Sequence, residues 1–161
     1  MSLAPTDYDF GDASNFFFAT TITCANDEAR AMYVEAYGHM LNYNHEQAIA
    51  CFTQCAELDP TCAMAYWGIA YCLSSSYNWA PGLGSGYDSI QLALANKDGC
   101  TELEIDLIDA LSLRHTKEAR DQMDPTVLNM GNTHELNAAF ATAMKPISSG
   151  VFPMLSTVGS I

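Results

Sequence analysis

The chain has 161 residues, 49% of them hydrophobic and 16% charged, which suits one domain with a sizeable core. Its 19 acidic residues against 6 Lys plus Arg give a net charge of −13. That balance excludes the clustered cations needed by nucleic-acid phosphates or anionic lipid headgroups, and leaves a basic protein segment as the electrostatically favoured partner.

Residues 1–25 have no helical period. Asp7, Asp9, Gly11, Asp12 and Ser14 read as turn and loop, and Thr20 to Thr23 as extended backbone. Phe16, Phe17 and Phe18 need burial against the helices or against another molecule. Met1 to Gly11 carries no Lys, no Arg and no apolar stretch of the secretory-signal kind, and no Asn-x-Ser/Thr acceptor occurs anywhere. A cytoplasmic setting is therefore favoured, with a processed secreted chain left open. No run of about 18 apolar residues is present, so no membrane span is expected.

From Asn26 the pattern turns helical. Asn26 is a good N-cap, with Asp27 and Glu28 complementing the helix dipole, and apolar residues recur from Ala29 to Leu41 at three-four spacing. A second helix covers about His45–Leu58 and ends before Pro60. Thr61 is the expected cap of a third, through about Leu73, followed by a loop holding Pro81, Gly82 and Gly84. A fourth runs from about Gly86 to Asn96, and Asp98-Gly99 stops it. Thr101 opens a fifth, with Leu103, Leu107, Ile108 and Leu111 inward and Glu102, Glu104, Asp106 and Asp109 read as a solvated face. A short helical piece near Lys117–Met123 precedes Pro125, and a last helix spans about Thr133–Met144 with Pro146 expected to close it. Helices joined by short loops imply stacked antiparallel hairpins. The expected organisation is an extended segment over 1–25, a helical domain over 26–145 and an irregular tail over 146–161.

The run from Asn44 to Tyr71, NHEQAIACFTQCAELDPTCAMAYWGIAY, resembles the tetratricopeptide repeat. Ala48, Phe52, Cys55 and Pro60 match the small, aromatic, small and proline positions of that family's second helix. Trp67, Gly68 and Tyr71 stand where the next repeat has Leu-Gly and Tyr. Small residues at such positions let two helices approach, and the aromatics fill the space between hairpins. The first helix departs from the pattern, with Ala36 where the family has glycine and Gly38 out of register by two. About 30 residues match well and roughly 90 more are compatible, those after Gly86 by helix spacing only. The segment CAMAYWGIAY also looks like part of larger multi-repeat proteins of this superfamily. The resemblance implies an all-α solenoid of about three hairpins.

In that family the concave surface comes from the first helix of each hairpin. Carried over, Cys62, Ala65, Ile69, Cys72 and Leu73 would face a groove, and they are small or apolar where carboxylate-clasping members use Lys, Arg and Asn. The resemblance therefore implies a groove for an apolar segment: a partner helix, the chain's own ends or another copy. Phe16, Phe17 and Phe18, or Val151, Phe152 and Leu155 in the tail, are candidate assembly contacts.

Sites of chemistry are harder to find. His45-Glu46 and His134-Glu135 each begin a zinc motif whose second histidine is replaced, by Ile49 and Ala138. His39 has no evident carboxylate pair in the linear reading, and Cys51 with Cys55 lacks a matching second pair. The six cysteines are expected as free thiols, four on helical faces, with disulfides as the alternative. Gly82 to Gly86 lacks the lysine and preceding strand of a phosphate loop, and Asp7 to Asp12 lacks the final Glu of a calcium loop. The expectation is a protein-binding scaffold without enzymatic activity, cofactor or metal. Two alternatives remain: a self-assembling subunit forming an oligomer or filament, and a metal protein or enzyme using His39, His45 and the cysteines.

Overall fold

A computed structural model describes residues 21–74, 85–121 and 133–151, the last of these with side chains over 134–147. The described chain is all-α. Seven helices occur in it: α1 (Asp27–Leu41), α2 (His45–Leu58), α3 (Ala63–Cys72), α4 (Tyr87–Asn96), α5 (Glu102–Ser112), α6 (Lys117–Asp121) and α7 (Thr133–Val151). Each packs on the next through α5, while α1 meets α3 and α3 meets α5. The odd-numbered helices thus form one row, with α2 and α4 lying across it.

The starts and stops have local causes. Asn26 caps α1 by accepting from the Ala29 N–H at 2.8 Å. Thr101 and Glu104 form a reciprocal capping box at α5. Gly99 adopts φ 95°, the left-handed conformation glycine tolerates best, between α4 and α5. Thr61 does not cap α3. Its N–H and hydroxyl both donate to Asp59 Oδ1, at 3.0 and 2.6 Å, and Cys62 takes the cap position without a side-chain bond. Pro146 does not close α7, which continues to Val151. A proline removes only the bond its own N–H would make and bends the helix there, so the turns beyond it can remain helical. The tail expected from residue 146 is therefore helical for its first turns.

The core is densest between α1, α2 and α3. Phe52 is fully buried and lies 5.2 Å from the Tyr33 ring, centroid to centroid, in a tilted arrangement. Gly68 faces it so closely that a Cβ at 68 would sit 2.5–2.6 Å from three atoms of the Phe52 ring. Ala48, Cys55, Ala65 and Ala70 are fully buried, so α2 and α3 meet through small residues around one wedged aromatic. Trp67 reaches across to α5, where its indole N–H donates to Leu107 O at 3.1 Å.

Candidate functional site

The two ends of the stack differ. At the end holding the starts of α1, α3 and α5, residues 21–25 are fastened as a non-helical strap. Thr23 donates through its N–H and its hydroxyl to Glu104, both at 2.7 Å. Ala25 N–H donates to Asp59 Oδ2 at 2.6 Å, and Arg30 donates to the carbonyls of Ile22 and Cys24. Glu104 also accepts from the Thr101 N–H and hydroxyl, at 2.8 and 2.9 Å, and is 1% exposed. It is a structural anchor and not part of a solvated face. Burial works to raise the Asp59 pKa, but the bonds from Ala25 and Thr61 prevail and hold it below the ordinary carboxyl range.

The opposite end carries an open cleft of about 150 Å³. It is lined by Met40 and Leu41 from the end of α1, Tyr43 and His45 at the α1–α2 turn, Tyr71 and Ser74 at the end of α3, and Arg114 after α5. Three of these are large apolar groups open to solvent: Tyr43 is 79% exposed, Leu41 51% and Tyr71 37%. Tyr71 stacks on Trp67 at 5.2 Å, and Arg114 lies over the Phe140 ring at 5.2 Å. Burial lowers the Arg114 guanidinium pKa, with the nearby Tyr71 opposing that shift.

Tyr43 has φ 61°, alone among the described non-glycine residues in taking a positive value. Left-handed backbone costs an L-residue roughly 1–2 kcal/mol, and a bulky aromatic there is uncommon. The turn strains its backbone to hold a tyrosine that is almost wholly in solvent. Its ring meets His45 edge-on at 6.0 Å.

Ser74 and His115 lie beside the cleft as a serine–histidine pair, with Oγ and Nε2 2.8 Å apart. Ser74 Oγ also donates to Ala70 O at 3.1 Å. Which of the two supplies the shared proton depends on the imidazole tautomer. His115 is fully buried, and a Cβ at Gly86 would fall 2.5 Å from its ring. The pair joins the end of α3 to the turn after α5.

The groove residues expected from the sequence land mostly in the core. Cys62, Ala65 and Cys72 are buried, while Ile69 and Leu73 are half-buried. Among the repeat-packing residues, Ala48, Phe52, Cys55, Trp67 and Gly68 are buried, Pro60 is exposed in the α2–α3 turn, and Tyr71 lies on the cleft wall. The side chains of Phe16, Phe17, Phe18, Val151, Phe152 and Leu155 lie outside the described residues. All six cysteines are free thiols, four of them buried. Among the described residues no helix is long and apolar enough to cross a membrane. The linear reading missed Glu104, the cleft, and the proximity of Glu35 to His39. The last had a signal: residues four apart share one face of a helix. Comparison with protein-family models, curated proteins and solved structures returns no match.

Proposed function

We propose that this chain is a tetratricopeptide-like interaction module, not an enzyme, and that the cleft between Tyr43, Tyr71 and Arg114 takes a segment of a partner protein. The observation that carries this reading is Tyr43, a strained and solvent-facing aromatic at the cleft rim. Backbone strain held at an exposed site points to selection for something other than stability. The composition of the cleft agrees, because tyrosine and arginine are over-represented among the residues that dominate protein-protein binding energy. A partner supplying an apolar anchor would cover Leu41, Tyr43 and Tyr71, and Arg114 suits its backbone carbonyls. The net charge of −13 favours basic residues on the flanks of that anchor.

The test is selection from a displayed random-peptide library against the purified chain. The expected peptides share an apolar or aromatic anchor flanked by Lys or Arg, and lose tenfold or more in affinity on Tyr71→Ser. Peptides without that pattern, or with affinity untouched by Tyr71→Ser, contradict the reading. Concentration-dependent self-association abolished by the same substitution would assign the cleft to a second copy of the chain instead.

A further inference from the structure

We propose that Glu35, His39 and Cys51 form a three-ligand site for a divalent d-block cation of the zinc type, joining α1 to α2. Their ligand atoms, one carboxylate oxygen, one imidazole nitrogen and one sulfur, all lie within 4.8 Å of one another. Glu35 and His39 are four apart on α1, hence on one face, and Cys51 meets them from α2. In a tetrahedral zinc centre such atoms lie roughly 3.5 Å apart, given metal bonds of about 2.0–2.3 Å. Binding would draw the three ligand atoms from within 4.8 Å of one another to that separation.

Three features fit a cation. His39 and Cys51 are each 5% exposed, so the donors sit where water competes poorly. Among the described residues Glu35 Oε1 is buried without a hydrogen-bond partner, which is costly for a carboxylate oxygen and is relieved by a cation. The charges also cancel. A carboxylate and a thiolate neutralise a divalent ion, and the imidazole binds it as a neutral ligand. Binding breaks the Cys51 S–H bond. The sulfur keeps the electron pair as a metal ligand and the proton leaves to solvent. Three protein ligands leave a fourth position for water, and the set of one sulfur, one nitrogen and one oxygen suits zinc or cobalt better than magnesium or calcium.

A second grouping, Cys24, Asp59 and Cys62, is equally close but differs in what its atoms already do. Both Asp59 oxygens are taken by Ala25 and Thr61. It therefore serves as an internal control.

The test uses the full chain, stripped with chelator under reducing conditions and titrated with cobalt(II), then zinc. One equivalent of cobalt should bind with a thiolate-to-cobalt charge-transfer band and tetrahedral d–d bands, and zinc should displace it and raise the thermal midpoint. Cys51→Ser should abolish the charge-transfer band. Glu35→Gln should keep the band while weakening cobalt about 10-fold or more, since losing even a group that only supports a metal ligand costs about 10–100-fold. Cys62→Ser should change neither. Circular dichroism checks that each variant folds, and Glu35→Gln, which leaves the buried packing in place, decides the matter if Cys51→Ser does not fold. No cobalt band in the native chain, full affinity in Glu35→Gln, or a band lost with Cys62→Ser but kept with Cys51→Ser overturns the site.

Discussion

The contact between Gly68 and Phe52 admits a sharp test, because two effects of one methyl group oppose each other. Replacing glycine by alanine inside a helix gains about 1 kcal/mol from propensity alone. Here the new Cβ would stand 2.5–2.6 Å from three ring atoms of Phe52. The ring is fully buried with Tyr33 close by, so it has no free rotation into solvent. Overpacking of this kind costs about 1–3 kcal/mol. Taking the upper half of that range for a ring held on both sides, the net loss for Gly68→Ala is about 1–2 kcal/mol. For a chain of this size that lowers the melting midpoint by about 2–8 °C. Urea denaturation of Gly68→Ala, Phe52→Leu and the double variant measures the term directly. Leucine frees the space, so the double variant should be more stable than the sum of the single effects, with a coupling of about 1 kcal/mol or more. Were Gly68→Ala to stabilise the protein by the full propensity gain, the close approach of α2 and α3 would be refuted.

Two further perturbations address the strap. Glu104→Ala removes the acceptor of four hydrogen bonds and should cost about 3–4 kcal/mol, since bonds to a buried charge contribute more than neutral ones. Amide exchange at Thr23 should accelerate with it; a loss under about 1 kcal/mol would show that the strap is not fastened there. Asp59 has a folded pKa held below its ordinary 3.8 by hydrogen bonds that outweigh burial. Its contribution is thus fully present above that value and disappears as pH falls through it toward the lower folded value. The stability gap between the native chain and Asp59→Asn should be constant near neutral pH and close on acidification below about pH 4. A gap that widens in acid reverses the sign of the argument.

How much the sequence reveals depends on whether the cause is local. The N-caps Asn26 and Thr101, the break before Pro60 and the Asp98-Gly99 stop are decided within a few residues, and α1 to α5 appear where the apolar spacing places them. The burial of Glu104 is not local. Its partner Thr23 is 81 residues away, and an acidic residue in a first helical turn looks the same whether water or a strap faces it. Periodicity shows that Cys62, Ala65 and Cys72 are on an inward face, but not whether that face borders a groove or a core. The Glu35–His39–Cys51 cluster needs the register of two helices, of which sequence shows only the four-residue half. Tyr43 was invisible for a similar reason, since Asn42 and Asn44 mark a turn but not which residue takes the positive φ. Pro146 misled because proline more often ends a helix than bends one.

The most direct test of the interaction reading sets stability against binding in Tyr43→Gly, with affinity read on a library-selected peptide. Glycine relieves a left-handed strain of about 1–2 kcal/mol at an entropic cost of about 0.5–1 kcal/mol. Folding stability should therefore be unchanged or higher by up to about 1.5 kcal/mol, while affinity for the peptide falls tenfold or more. A variant that loses stability and keeps its affinity would mean that Tyr43 serves the fold, and would contradict the assignment of the cleft as a binding site.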